Sequence, residues 1–374
     1  MSLAEIEAKI PVIRAKGNSY EIGFAHGSQG KKQINLTLSK LKKSVMKNAH
    51  LEWNDCIRIA SAFRSIVEKK VPAYLEEIRG IADGSGNTFE DIFTLNCRTE
   101  LGGQFVRAFG ANIDAVRNMF GECSVMGLTQ SRTKTQTNIY CQNWDTDREQ
   151  FETLVFIIAY QTEGKPAIAW TTEAGLLCRM GGMNSCGIGL GANTLSTNAP
   201  IDFDGLPLQF AYRYIMDQTD YPSAVCAAVD SHVASNINLM IAGPEGEMID
   251  IEVEYKGCGY LNKKNGVISH ANTYKHPKLP SAPYKECDYP RGVIRSFRLD
   301  TLVEELQGNE LGVEDVMRIM TDHKANYPSC ICRHDENTMT AFSCINDLNK
   351  LEMHLSIGNP CQGYHFLKPF DEKF

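Results

Sequence analysis

Apolar residues recur at spacings of three and four over the first third of the chain, and at alternate positions over most of the rest. Ile34, Leu38, Leu41 and Val45 mark one face of a basic amphipathic helix over 31–49. The same period continues from Cys56 to Val67. Ser19-Tyr-Glu-Ile-Gly-Phe24 reads as a helix start with Ser19 as N-cap. Residues 72–84 open on Pro72 and close on Gly84, and Thr88 caps a short helix over 88–96. The Gly-rich stretch 102–121 reads as a linker. After Cys123 the pattern predicts strands over 137–144, 154–160, 167–172, 187–193, 237–242, 248–254, 266–270, 339–345 and 351–357. Several are separated by a few turn residues, which favours antiparallel hairpins. Helices over 206–217, 222–230, 291–306 and 313–321 interrupt them, so packed sheets with helices outside are expected.

Composition narrows the class. The 374 residues are 43% hydrophobic and 22% charged, which excludes whole-chain disorder or coiled coil. A net charge of −7 argues against nucleic acid as a partner. The charge is uneven. Residues 1–122 hold 17 basic and 14 acidic side chains, and the remainder 21 and 31, so the net charge changes from +3 to −10. The first residues have neither the basic nor the apolar region of a secretory signal, and the longest apolar run, 154–160, is far short of the ~20 residues a membrane helix needs. Thirteen cysteines occur without a Cys-x-x-Cys. These features predict reduced thiols, a cytoplasmic location and no membrane partner. Cys330-x-Cys332 with His334 lacks zinc-knuckle spacing, so no metal is expected. Gly187-Ile-Gly-Leu-Gly191 lacks the spacing of a dinucleotide loop, and the sequon Asn35-Leu-Thr37 falls inside a helix.

Cys123 stands where periodicity and charge sign both change. A thiol at a strand start can attack the preceding carbonyl, that of Glu122, and hydrolysis of the resulting thioester would divide the chain. Cys123 would then carry a nucleophilic sulfur and an α-amine of pKa about 8, able to serve as its own base. A developing oxyanion needs preorganised donors. Asn272 offers a neutral one. Asp145 can orient the amine or thiol. Arg333 offers a fork for a substrate carboxylate, and Asn193 is a candidate lining residue.

The chain resembles the isopenicillin-N acyltransferase family, the acyl-CoA:6-aminopenicillanic acid acyltransferases, which are peptidase C45-like, Cys-type N-terminal nucleophile hydrolases. The resemblance rests on Gly17-Asn-Ser-Tyr-Glu-Ile-Gly-Phe-Ala-His-Gly-Ser28, Glu76-Glu-Ile-Arg-Gly-Ile-Ala82, Leu95-Asn-Cys-Arg-Thr-Glu100, Gln142-Asn-Trp-Asp145, the stretch Thr172 to Gly187, His270-Ala-Asn272 and Asn326-Tyr-Pro-Ser-Cys-Ile-Cys-Arg333. It departs at Glu122 and Ser124, where the family commonly has Gly and Thr. The resemblance implies an α+β fold, an αββα four-layer sandwich of antiparallel sheets preceded by a helical segment. It implies self-cleavage between Glu122 and Cys123 into 1–122 and 123–374, associated as one globular unit. It also implies Cys123, Asp145 and Asn272 as catalytic residues, Arg333 and Asn193 at the substrate, and a small-molecule acyl substrate. No prosthetic group is needed, and acyl-CoA is admitted as a co-substrate. Two alternatives stand beside an acyl-CoA reaction. One is hydrolysis of a small N-acyl amine such as an N-β-alanyl amine. The other is an unprocessed, non-catalytic binding protein.

Overall fold

The computed structural model describes residues 3–102, 122–162, 164–197, 199–280, 291–306, 310–324 and 329–371. The expected linker, apart from Gly102, and the Asn326-Tyr-Pro portion of the motif lie outside these residues.

The first segment is mainly helical: α1 (Leu3–Glu7), α2 (Ser19–Gln29), α3 (Lys31–Ala49), α4 (Trp53–Ser61), α5 (Arg64–Lys70), α6 (Ala73–Ser85) and α7 (Phe89–Asn96). Two expectations change here. The cap of α2 is Asn18 rather than Ser19. Its side chain accepts from the Glu21 amide while Glu21 reaches back to the Asn18 amide, a reciprocal pairing that satisfies two orphan donors. The apolar period over 56–67 belongs to two helices, α4 and α5, which meet at Ala62 and Phe63. Thr88 caps α7 as expected, accepting from the Asp91 amide.

This segment also supplies a strand that the pattern did not predict, β1 (Val12–Gly17). Only Ile13, Ala15 and Gly17 face inward, and Arg14 and Lys16 lie on the other side, too short an alternation to stand out. β1 pairs in parallel with β4 (Leu154–Gln161), so the sheet is not wholly antiparallel. The other strands are β2 (Glu122–Leu128), β3 (Ile139–Asp147), β5 (Ile168–Glu173), β6 (Gly182–Asn184), β7 (Gly189–Thr194), β8 (Ile237–Ala242), β9 (Met248–Glu254), β10 (Gly257–Asn262), β11 (Val267–His270), β12 (Thr338–Asp347), β13 (Glu352–Ile357) and β14 (His365–Leu367). They form an eight-stranded sheet, β1-β4-β5-β6-β7-β8-β9-β10, and a six-stranded sheet, β11-β2-β3-β12-β13-β14.

The sheets meet face to face through their central strands. A Cβ on Gly189 of β7 would lie 2.5 Å from the Tyr140 ring, and one on Gly191 would lie 2.4 Å from Val125 Cγ2. The Gly-x-Gly-x-Gly run is therefore a close-packing device between sheets. Helices α2, α3 and α6, with α8 (Leu208–Met216) and α9 (Tyr221–Asp230), cover the eight-stranded sheet. Helices α10 (Arg291–Glu305) and α11 (Val313–Met320) cover the six-stranded one, where Leu299, Val316, Ile319 and Met320 pack on Met126, Leu128, Ile139 and Cys141. The result is four layers, αββα, as expected. No helix among the described residues is long and apolar enough to cross a membrane.

Candidate active site

β2 begins at Glu122 and Cys123 and pairs with β3 so that Glu122 faces Asp145 and Cys123 faces Trp144. Side chains alternate across a strand. Cys123, Val125, Tyr140 and Trp144 therefore point into the core between the sheets, while Met126, Leu128, Ile139 and Cys141 point at α10 and α11. By the same alternation Glu122 and Asp145 lie on the helix-facing side. The Cys123 thiol and the Asp145 carboxyl thus emerge on opposite faces of one sheet, and the Cys123 backbone nitrogen lies between them.

That nitrogen is held. Its N–H donates to Asn272 Oδ1 at 2.8 Å. Asn272 follows β11, and its Nδ2 donates to the Thr194 carbonyl at 2.9 Å. Arg295 Nη2 also donates to Asn272 Oδ1, at 3.0 Å. A donor-only guanidinium and an acceptor-only carbonyl fix which way the amide points. The Asn272 oxygen therefore faces the Cys123 nitrogen. One of its two N–H groups is engaged by Thr194, and the second has no partner among the described residues.

Two buried arginines converge on Glu122. Arg295 Nη2 hydrogen-bonds Glu122 Oε2, and Arg295 Nη1 donates to the Cys123 carbonyl at 3.1 Å. Arg333 Nη1 lies 3.1 Å from Glu122 Oε2, and its Nη2 lies 3.1 Å from Asp335. Burial lowers the Arg333 pKa, but the carboxylates of Glu122, Asp145 and Asp335 outweigh it and hold the guanidinium above its usual value. Arg333 comes from an irregular segment, and its amide donates to Thr340 Oγ1 at 2.9 Å. Thr340 in turn donates to Asp145 Oδ1 at 2.6 Å. Asp145 Oδ2 finds no hydrogen-bond partner among the described residues. Burial lifts the Asp145 carboxyl to about 6, against the pull of Arg295, Arg333 and the Thr340 hydrogen bond.

On the inner face, burial pushes the Cys123 thiol up, and the Arg179 guanidinium opposes this only in part. Arg179 stacks 4.1 Å over the Trp144 ring and donates to Glu173 at 2.6 Å. Glu173 also takes both terminal nitrogens of Arg98. Two stretches singled out in the sequence, 95–100 and 172–187, therefore meet beside the thiol. The Asn193 oxygen accepts from Asn238 at 3.2 Å, and its Nδ2 is buried without a partner among the described residues. Asn193 shares a strand face with Gly189 and Gly191, the face that meets the six-stranded sheet.

The fold thus gathers Glu122, Cys123, Asp145, Asn272 and Arg333 into one connected cluster, with Asn193 projecting from the facing sheet. Sequence reasoning missed Arg295, Arg179 and Thr340. Arg295 carried a readable signal. Spacing of four places it with Leu299 on the buried face of its helix, where an unpaired arginine is not tolerated.

Comparison with known proteins bears on most of the chain. A family model described as acyl-coenzyme A:6-aminopenicillanic acid acyl-transferase matches residues 131–362, beginning downstream of Cys123. The 40 kDa form of acyl-coenzyme A:6-aminopenicillanic-acid-acyltransferase of Emericella nidulans is 26% identical over 339 residues, covering 86% of this chain and 84% of that protein. Among solved structures, the conjugated bile acid hydrolase of Clostridium perfringens is 11% identical over 67% of this chain and 93% of its own, with a TM-score of 0.45. The penicillin V acylase of Agrobacterium tumefaciens is 11% identical over 63% and 83%, with a TM-score of 0.39. The family match, which spans more than half of the sequence, shows that the chain belongs to the acyl-coenzyme A:6-aminopenicillanic acid acyl-transferase family.

Proposed function

We propose that the chain is a self-processing cysteine enzyme that transfers or hydrolyses acyl groups through a thioester on Cys123. The observation that carries this reading is the placement of Cys123 at a strand start, with its nitrogen 2.8 Å from Asn272 Oδ1 and its preceding residue gripped by two buried arginines. In processing, Cys123 Sγ attacks the Glu122 carbonyl carbon, the Glu122–Cys123 C–N bond breaks, and the thiol proton passes to the departing amine. Water then hydrolyses the thioester, leaving a Glu122 carboxylate and a free thiol. The buried thiol is held protonated at neutral pH, so a base is required in turnover, and the new α-amine supplies it. Asn272 and Asp145 would hold that amine and its ammonium form. Asn193 Nδ2 and the second N–H of Asn272, both without a partner among the described residues, would serve as donors to an oxyanion.

In self-cleavage Glu122 is the acyl group. The arginines that hold its carboxylate therefore line the acyl side of the site, and this favours substrates whose acyl group carries a carboxylate. The acyl donor is an amide or an acyl-CoA, as the family name suggests, with water or a small amine as acceptor. No resident cofactor is invoked, and reduced thiols suit a cytoplasmic setting.

The test is a denaturing gel with intact-mass analysis. Wild type is expected as chains of 122 and 252 residues, and Cys123→Ala as one uncut chain. A wild type that stays whole at 41.7 kDa would favour the non-catalytic reading. For the substrate, Arg333→Ala is expected to weaken kcat/KM for carboxylate-bearing acyl substrates by about tenfold or more, with little change for neutral ones, since a hydrogen-bonded charge contributes roughly 1.5–3 kcal/mol. An equal effect on both classes removes the carboxylate role.

A further inference from the structure

Outside the site described above, four metal-ligating side chains converge on one point. We propose that His323, Cys332, His334 and Cys361 form a structural zinc site that clamps the segment carrying Arg333. This inference does not depend on the acyl-transfer reading. It also departs from the sequence expectation, in which the spacing of Cys330, Cys332 and His334 argued against a metal.

The spacing misled because the ligands come from three separate stretches. His323 follows α11, Cys332 and His334 belong to the irregular segment before β12, and Cys361 lies in a short turn after β13. Cys330 is not among them, because its Sγ donates to the Cys332 carbonyl at 2.9 Å. The four ligand atoms all lie within 4.8 Å of one another. Cys332 Sγ is 3.4 Å from His334 Nε2, which is 3.2 Å from Cys361 Sγ. With Zn–S of ~2.3 Å and Zn–N of ~2.0–2.1 Å, the sulfur–nitrogen edge of a zinc tetrahedron is about 3.5 Å. Both edges are close to that value. His323, His334 and Cys361 are exposed, so their side chains are free to close the remaining gaps, while Cys332 is a fixed, buried anchor.

The donor set selects the ion. Two sulfurs and two imidazoles suit zinc and are unsuited to magnesium or calcium, which take oxygen ligands. Binding Zn²⁺ releases the two thiol protons. The two thiolates then neutralise the ion, so a compact site of this kind adds no net charge. With four protein ligands it has no open position, the mark of a structural rather than a catalytic centre. Asn359 supplies an outer contact: its Nδ2 lies 4.0 Å from Cys332 Sγ and also hydrogen-bonds the Arg333 carbonyl.

Its position gives the site a consequence. Arg333 sits between two of the ligands, in a stretch with no helix or strand to fix it. Zinc would tie that stretch to the end of α11 and to the turn after β13, and so hold the guanidinium against Glu122.

The full chain, purified under reducing conditions in metal-free buffer, is expected to retain one zinc ion per chain by inductively coupled plasma mass spectrometry. Replacement by cobalt should give the visible bands of a tetrahedral site together with thiolate-to-cobalt charge transfer. Cys361→Ser and His323→Ala change exposed ligands, so the fold should survive, as circular dichroism would verify. Each should lower retained zinc about tenfold and abolish the charge-transfer spectrum or shift it. Cys186→Ser and Cys226→Ser, at exposed cysteines elsewhere, should retain it. A zinc chelator should lower the melting temperature of wild type and leave that of Cys361→Ser unmoved. Wild type without retained zinc and without a tetrahedral cobalt spectrum overturns the proposal. So does full zinc in both ligand variants, or a Cys332–Cys361 disulfide in the reduced preparation.

Discussion

Glu122 and Asp145 face each other across the β2–β3 ladder, with two buried arginines beside them. Asp145 is the more informative of the two because its pKa lies near 6. A carboxyl raised above its ordinary value binds its proton more tightly in the folded than in the unfolded chain. The contribution of this one carboxyl to stability, roughly 3 kcal/mol, is therefore fully present below about pH 4 and is lost as the pH rises through about 6. In the uncleaved Cys123→Ala background, Asp145→Asn should accordingly melt higher than its parent at pH 7–8 and show little difference near pH 4. In the active enzyme the same substitution should lower kcat/KM by about 10²–10⁴ and remove an acid limb near pH 6, because the ionised carboxylate is the form that holds an ammonium. A lower melting temperature at pH 8 would show the charge to be stabilising instead. Cys123, Asp145, Asn272 and Arg333 were all legible as candidates in the sequence. Arg295 showed only as an arginine on a buried helix face, with its partner Glu122 173 residues away, and the place of Arg179 beside Cys123 depends on packing that no local pattern specifies.

At the scale of elements, periodicity located most helices and strands, and four strands outside the predicted ranges share a cause. β1, β6, β10 and β14 are short or edge strands, and β10 exposes most of its residues. Such strands carry little alternation, so pairing with a neighbour is what defines them. The converse holds for β7. Its glycines weaken the strand signal, yet they are what lets Tyr140 and Val125 approach it. Gly191→Val should therefore force the sheets apart near Cys123. The expected loss is about 1–3 kcal/mol in urea unfolding, with slower appearance of the two fragments. An unchanged midpoint would mean that the gap between the sheets is looser than these distances indicate.

For the whole molecule, the boundary at Glu122–Cys123 divides the sequence but not the structure. β1 from the first segment is one edge strand of the eight-stranded sheet, and residues of both segments share one core. Buried ion pairs cross the boundary at Glu77–Arg213 and Arg98–Glu173. The Gly175 amide donates to the buried His26 ring at 3.0 Å. Chains 1–122 and 123–374 should therefore co-elute on gel filtration after cleavage and unfold in one transition, separating only in denaturant. Elution as two species would contradict a single folded unit. The opposite net charges of the segments are consistent with this union, although the decisive pairs are a few buried ones rather than the overall balance.

The sequence by itself determined the layered α+β class, the change of pattern at Cys123 and the candidate residue types proposed for acyl transfer, because these depend on local periodicity and on side-chain chemistry. The tertiary structure alone decided which face of the sheet each group occupies. It turned the Asn272 oxygen toward the Cys123 nitrogen, brought Arg295 and Arg333 onto Glu122, and assembled two histidines and two cysteines from three stretches of chain. Such convergence depends on strand register and layer packing, which bring together residues that spacing along the chain keeps apart.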